Sequence, residues 1–525
     1  MKRFALALLA LSFSAHAAGI FDSPEKRSPP AFVANSMPWP WTHGPGDLTI
    51  SAQADLSKVV GKLTKFNFGN NTSWWSGADW NLDTDRVAKA VQGGMRFWRF
   101  PGGSSSDFYF WDNKYGKYAK AYNDEDSARM GKPECLDFDR FMELCAKTGS
   151  EPILTLNYGL ARYGSLQEAL DLAVGWIKYA KEKGYKIHYV EVGNENYGDW
   201  EGGSDKVPGK SRLTGEEYGQ DVVAFVNALK KVDPQLKVGA VVVGDDGAGD
   251  WDGFRWWNKG VMTKAGGAAD FFVVHEYFLW PFSHPENNFI DPSYAKLLGG
   301  LDRIGKLKAN LDDMQDRYAG KRLPVAFDEF NIINASPRQT IETVNLLFVA
   351  GALGEMASHG FATANIWDWK NGLDEKYRGD HGMLATGDPR VPESTPRPSY
   401  YAFALWKRAG GDALVETQVQ GSGLRAFASR FVDGKAGWIL INETEKPMDL
   451  TLAVRGYRGK GKINAWVARG WGYNDLRVRF NEKEGPAGGG GPFPLDDIMP
   501  YNLQAEGGIV RLSLPGSSVT GLVFY

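Results

Sequence analysis

Two short stretches place carboxylates where they could work as a pair. In YVEVGNENYGDW (189–200) an apolar run passes through a glycine into Asn194 and Glu195. In PVAFDEF (324–330) a second apolar run ends in Asp328 and Glu329. Two such acids facing each other are the minimum apparatus for glycoside hydrolysis: one protonates the departing oxygen while the other attacks the anomeric carbon. That chemistry needs the acid protonated near neutral pH and the nucleophile charged. Each residue also has a plainer reading. Glu195 alone could be a strand-end ion-pair partner. Asp328 could be the working carboxylate in place of Glu329, but alternation along a strand turns neighbours to opposite sides, and Glu329 is the one expected to aim inward. Glu276 is a weaker competitor.

Acids so far apart in sequence need a scaffold to bring them together. Eight short apolar segments recur at 65–70, 95–100, 152–157, 187–193, 238–244, 271–277, 324–330 and 362–369. Near-continuous apolar runs suit parallel strands buried on both faces. Helical segments separate them. Ser165 and Glu168 form a capping box, as do Thr214 and Glu217, and Leu166, Ala169, Leu170, Ala173, Ile177 and Ala180 line one helical face. This alternation predicts an α/β fold, a (β/α)₈ TIM barrel. An open doubly wound sheet is the rival, but no G-x-G-x-x-G follows the first strand and no P-loop is present. Barrel active sites lie at the C-terminal strand ends. Those ends deliver Arg99 from the second strand, Asn194 and Glu195 from the fourth, His275, Glu276 and Tyr277 from the sixth, Asp328 and Glu329 from the seventh, and Trp367 and Trp369 from the eighth.

The rest of the chain divides around this barrel. Residues 1–18 read as a signal peptide, with Lys2 and Arg3, a short apolar run and a small-residue cleavage site after Ala17. A Pro-rich leader and the short strand LTISAQA (48–54) fill 19–56; this strand is a candidate member of the C-terminal sheet. The barrel takes 57–410. From 411 to 525 period-two alternation takes over, as in MDLTLAV, where Met448, Leu450, Leu452 and Val454 share a face. This predicts an antiparallel β-sandwich.

The motifs RFPGG (99–103), VGNE (192–195) and FDEFN (327–331) resemble the strand ends of the clan A retaining glycoside hydrolases, and most of all family 51, the α-L-arabinofuranosidases with some endoglucanases. The layout of barrel plus C-terminal sandwich is similar along the whole mature chain. Two features depart from the family: Phe330 stands where Trp is common after the nucleophile, and GSSSDFYFW (103–111) is not the usual continuation of the glycines. The resemblance implies Glu195 as acid/base and Glu329 as nucleophile, Asn194 as a ligand of the sugar 2-hydroxyl, Arg99 beside Glu329, Tyr277 orienting Glu329, and Trp367 beneath the bound ring. His275 is divided between an active-site hydrogen bond and a satisfied buried histidine.

Composition narrows the partners. A formal net charge of −3 gives no reason to expect nucleic acid. After signal cleavage no long apolar run remains for a membrane, which makes the protein exported, periplasmic or secreted, and its substrate a polysaccharide or oligosaccharide. No His/Cys cluster has metal-ligand spacing, and no cofactor is required. The loop GDDGAGDWDGF (244–254) resembles a calcium loop but lacks the closing Glu. Cys135 and Cys145 flank a helical segment too long for a bridge. The 19 Trp suggest sugar platforms. Trp74, Trp75, Trp111, Trp200 and Trp280, spaced around the barrel mouth, favour an open cleft and endo cleavage of a β-linked glycan, with an exo-acting α-L-arabinofuranosidase as the alternative. A non-catalytic carbohydrate-binding protein and a polysaccharide lyase are the readings from other classes. Sugar, linkage and oligomeric state are not specified.

Overall fold

The computed structural model describes residues 19–23, 26–34, 36–41, 48–114, 132, 134–203, 207, 209–244, 252–279 and 293–525. The signal segment 1–18, most of the calcium-like loop and Trp280 lie outside the described residues. The barrel closes from eight parallel strands: β3 (Gly69–Asn71), β4 (Phe97–Phe100), β5 (Glu151–Leu156), β6 (Tyr189–Val192), β7 (Lys237–Val241), β8 (Phe271–Tyr277), β9 (Val325–Asn331) and β10 (Thr363–Ile366). Each pairs with its sequence neighbour, and β10 closes on β3. The strands are buried on both faces, the condition that their apolar runs predicted.

The first strand is shorter than its sequence suggests. Thr64 and Asn67 form a capping box that winds Lys65–Asn67 into a 3₁₀ turn, so β3 begins only at Gly69. Between strands, Ser165 caps the helix Leu166–Glu182, which buries Ala169, Ala173, Ile177 and Ala180 together with Trp176. Thr214 and Glu217 form a full capping box before the helix Gly215–Val232. Cys145 sits in the helix Phe138–Thr148; it and Cys135 are both buried free thiols. Among the described residues no helix is long and apolar enough to cross a membrane.

One irregularity matters for chemistry. On β8, Val274 pairs with Phe327 but His275 pairs with Glu329, so Asp328 is skipped. Against β10, Ala364 pairs with Phe327 and Ile366 with Phe330, so the same extra residue is present on that side. This is a β-bulge, which bends its strand and re-aims the side chains at that point.

The second unit is one hydrogen-bonded sheet of twelve strands. Its main path joins β1 (Met37–Pro38), β18 (Tyr501–Gln504), β15 (Lys462–Arg469), β20 (Ser518–Phe524), β13 (Ala436–Asn442), β12 (Leu424–Arg430), β11 (Ala413–Gln420), β2 (Leu48–Lys62), β14 (Met448–Arg455) and β19 (Ile509–Leu514). A small branch, β16 (Arg479–Phe480) with β17 (Lys483–Glu484), leaves from β15. Pairing is antiparallel except for β2 with β14 and β1 with β18. The strand read at 48–54 is longer than expected and lies inside this sheet, between β11 and β14.

Alternation gives the sheet two apolar faces. Met448, Leu450, Leu452 and Val454 join Trp438, Leu440, Ala465, Val467, Leu522 and Phe524 in a core of its own. The intervening Ile439, Ile441, Trp466, Ala468, Val519 and Val523 join the barrel's core instead. The helices Thr343–Ser358 and Pro398–Ala409 lie at this junction, and both are buried almost all round. A helix with apolar residues on every face needs such a position.

Candidate active site

Arg99, at the end of β4, is fully buried and organises the barrel mouth. Its Nε donates to Glu191 Oε1 at 2.6 Å, Nη1 to Asn71 Oδ1 at 3.0 Å and to Glu329 Oε2 at 2.9 Å, and Nη2 to Asn194 Oδ1 at 2.7 Å. Asp328 Oδ2 lies 3.6 Å from Nε. A guanidinium suits this role because its planar fork presents five fixed donors. Glu191 is fully buried within β6 and also accepts from Thr155 Oγ1 at 2.7 Å. Burial and the neighbouring Asp328 push its carboxyl up to about 8.

Glu329 receives a second donor, Tyr277 Oη, at 2.8 Å. Tyr277 stays a neutral phenol, because burial and the charge of Glu329 hold its pKa well above the usual value. Glu195 stands just beyond β6 with φ +41°, a left-handed conformation uncommon for a residue with a side chain. It accepts from Trp200 Nε1 at 2.9 Å through Oε2, while Oε1 meets His275 Nδ1 at 2.9 Å. The other imidazole nitrogen, Nε2, lies 3.0 Å from Asp328 Oδ1. A carboxylate oxygen thus lies close to each ring nitrogen, and such neighbours favour the imidazolium. Burial disfavours that cation, but Glu329, Asp328 and Glu195 outweigh it and push His275 up to about 10.

An oxygen of Glu195, a ring nitrogen of His275 and an oxygen of Glu329 all lie within 4.8 Å of one another. Carboxylate and imidazole are metal-ligand types, but here His275 Nδ1 is engaged with Glu195 Oε1 at 2.9 Å and Glu329 with Arg99 and Tyr277. His275 stands between the two carboxyls, hydrogen-bonded to Glu195 and 3.7 Å from Glu329 Oε2.

The electrostatics of the resting pair differ from the sequence expectation. Burial raises both carboxyls. For Glu195 the His275 cation and the Trp200 bond outweigh it and hold the group below its ordinary value. For Glu329 burial prevails over His275 and Arg99, with the Glu195 charge adding to it, so its pKa is raised. Arg99 does not by itself set the asymmetry, because its charge is divided among Glu191, Asp328 and Glu329.

The structure therefore brings together Glu195, Glu329, Asn194, Arg99, His275 and Tyr277. Trp367 lies at the same end of the barrel, half-buried, with its ring edge over Gly103. The expectation that only one of Asp328 and Glu329 could reach inward fails, because the bulge lets both contact Arg99 and His275. Glu276, half-buried, follows His275 on β8.

Three acids were not singled out in the sequence. Glu191 carried a signal, a charge inside the apolar run YVEV, which must find a buried partner. Asp107 accepts from Asn196 Nδ2 at 2.6 Å and from the Tyr158 amide at 3.2 Å, and so ties the turn that carries Glu195 to the loop after β4. Glu201 accepts from Ser104 Oγ at 2.7 Å and Asn194 Nδ2 at 3.0 Å. Asn194 is thus held by Arg99 on one side and Glu201 on the other.

The tryptophans offered as platforms divide. Trp74 is 1 % exposed and belongs to the core. Trp111 donates to Leu172 O at 2.9 Å and packs on Gly175 and Tyr179, in the barrel wall. Trp369 is fully buried against Trp98 and Trp80. Trp200 is 41 % exposed beside Glu195, and Trp75 is half-buried. The ring of platforms expected for an open cleft is not formed by these residues.

Comparison with known proteins gives a consistent picture. A family model described as an alpha-L-arabinofuranosidase 1 domain matches residues 92–258. The probable alpha-L-arabinofuranosidase C of Aspergillus clavatus is 28% identical over 202 residues, 34% of this chain and 37% of that one. The intracellular exo-alpha-(1->5)-L-arabinofuranosidase of Acetivibrio thermocellus is 24% identical over 245 residues, 45% of this chain and 46% of that one. The matched stretches thus span about a third to a half of these relatives' length. In three dimensions the chain is similar to the alpha-L-arabinofuranosidase of Thermotoga maritima solved with arabinose, with a TM-score of 0.64 at 20% identity over 90% of this chain and 99% of that one. A xyloglucanase of family 44 from Paenibacillus polymyxa gives 0.62 at 14% identity, over 91% and 99%. The barrel-plus-sheet fold is shared with these structures, and the resemblance to the arabinofuranosidases read from the motifs is borne out.

Proposed function

We propose that this protein is a retaining glycoside hydrolase of the α-L-arabinofuranosidase type, which releases terminal sugars from a polysaccharide or oligosaccharide by double displacement. The observation that carries this reading is the spacing of Glu195 and Glu329. Retaining pairs stand about 5–5.5 Å apart and inverting pairs about 6.5–9.5 Å, and oxygens of these two lie within 4.8 Å. Glu329, held by Arg99 and Tyr277, attacks the anomeric carbon. As the bond to the leaving oxygen breaks, Glu195 gives that oxygen a proton. Glu195 then takes a proton from the water that attacks C1 and frees Glu329. In the resting site Glu329 is the more basic of the two. For the reaction the proton must stand on Glu195, so substrate binding has to reverse the resting order of the two.

The exo reading displaces the endo cleavage that the tryptophan spacing favoured. Support comes from the burial of Trp74, the packing of Trp111 into the barrel wall, and relatives named as arabinofuranosidases. The test pairs an aryl α-L-arabinofuranoside, followed by NMR, with an arabinose-bearing polysaccharide followed by chromatography and viscometry. Expected are hydrolysis with retention at C1, release of monosaccharide, and unchanged viscosity. An inverted first product would remove the double displacement. An early fall in viscosity with only oligosaccharide products would restore endo cleavage.

A further inference from the structure

Trp471 lies between β15 and β16, far along the chain from either glutamate, and is 64 % exposed. It is nevertheless held in place. Arg469 and Arg479 face each other across the β15–β16 pairing, and each guanidinium carbon lies 4.2 Å from the indole centroid. Guanidinium-on-indole contacts of this kind contribute about 0.5–2 kcal/mol each. The Trp471 amide donates to Asp475 Oδ2 at 3.0 Å. The supporting cations are already matched: Arg469 makes two bonds to Glu482, at 2.7 and 2.6 Å, and Arg479 bonds Glu484 at 2.8 Å.

The indole borders a cleft of about 600 Å³ whose wall includes Arg338, Glu445, Asn474, Asp475 and Arg477. Here too charge is balanced, with Arg338 3.0 Å from Glu342 and Arg477 3.9 Å from Asp475. A ligand therefore meets a broad apolar face beside mixed donors and acceptors, with no surplus of either sign. A polyanion would find no unmatched cation. An apolar peptide would cover the polar wall without satisfying it. A sugar ring fits both parts, with its C–H face on the indole and its hydroxyls toward the wall. Because the indole is fixed beforehand, binding costs little ordering entropy.

The cleft is also placed near the barrel mouth. The Thr343 amide donates to Asp475 O at 2.9 Å and the Val344 amide to Tyr473 O at 3.0 Å, which pins the Trp471 loop to the helix after β9. Arg338 follows Glu329 by roughly nine residues, a tether of at most about 30 Å even if fully extended.

We propose that this cleft is an accessory site for an uncharged polysaccharide chain. Trp471 stacks on one sugar ring, and Asn474, Arg477 and Arg338 bond its hydroxyls, while a branch of the same polymer occupies the Glu195–Glu329 site. The proposal rests on the reading of the chain as a glycan-processing enzyme. Its gain is one of effective concentration, since the second contact becomes intramolecular.

The test compares wild type with Trp471→Ala and Trp471→Tyr. On a soluble arabinose-bearing polysaccharide, Trp471→Ala should raise KM about tenfold, and Trp471→Tyr should retain most of the affinity. On an aryl α-L-arabinofuranoside all three should agree within about twofold. Affinity electrophoresis in the same polysaccharide reads binding without turnover. Equal polymer KM and mobility for wild type and Trp471→Ala would overturn the accessory site. So would a lower sedimentation mass for Trp471→Ala, which would make the indole a contact between copies. Trp471-dependent retardation without any hydrolysis by wild type would instead strike at the proposed activity and leave the accessory site standing.

Discussion

Glu195 and Glu329 make different demands on a substrate, and their variants should separate them. Glu329→Ala should abolish turnover on every substrate, because no covalent intermediate can form. Glu195→Ala should retain activity on aryl glycosides with good leaving groups, which need little protonation, and azide should partly rescue it. Steady-state kinetics across a leaving-group series checks both, and uniform loss without rescue would reverse the assignment. His275 governs the pH dependence. Its cation holds Glu195 low, so Glu195 gives up its proton at a lower pH than it otherwise would. His275→Asn keeps a neutral donor and removes the charge. His275 lowers Glu329 as well, so both carboxyl pKa values then rise and both limbs of kcat/KM should move to higher pH. Arg99 is a matter of stability as well as chemistry. It meets three buried carboxyls on two strands, and Arg99→Met should cost about 3–5 kcal/mol in urea unfolding, the usual penalty for orphaning buried charge. At this scale the two glutamates were legible because each ends an apolar run. Asp107 was not, because its partners lie in loops distant in sequence, and nor was Glu201, whose partner Ser104 lies on the loop after β4.

At the scale of elements, the loop after β4 carries much of the site's shape. Gly103 has φ +59°, and a Cβ there would come within 2.5 Å of Trp367 Cη2. Gly103→Ala should therefore displace Trp367 and raise KM on small and large substrates alike, with the fold intact by circular dichroism. A change confined to kcat would separate Trp367 from substrate binding. The eight strands were read nearly in place, since buried parallel strands leave a plain hydrophobic signature. The bulge at Asp328 was not. A single extra residue leaves the composition of FDEFN unchanged while altering which side chains share the mouth. The start of β3 moved for a similar reason: the Thr64–Asn67 capping box is a local hydrogen-bond preference that competes with the apolar pattern.

At the scale of the molecule, one face of the sheet shares the barrel's core while the other has its own. Alternate residues of β13, β15 and β20 belong to the barrel's cluster, and the helices Thr343–Ser358 and Pro398–Ala409 would be stripped on one side without them. A chain ending after Gly410 should fail to give a folded barrel, and the intact protein should unfold in one calorimetric transition. A soluble truncated barrel with native circular dichroism would show the two units to be independent. The change of pattern near 411 announced the sheet. The parallel pairing of β2 with β14 could not be foreseen, because period-two alternation records which face a residue takes and not which strand lies beside it.

The position of β2 sets a timetable for synthesis. Its fifteen residues are made early, yet the strands on either side of it begin at Ala413 and Met448. At about 5–20 residues per second, β2 must wait on the order of 20–70 seconds for its first neighbour. Throughout that interval it is an unpaired edge carrying Ile50, Ala52, Ala54 and Leu56, which later enter the sheet's core. Such an edge is a template for association with other nascent chains. Asp55 and Lys58 interrupt it with opposite charges near the middle, where a foreign strand would otherwise pair. A sheet that seats β2 between β11 and β14 therefore makes an interior strand wait on neighbours made about 350 residues later.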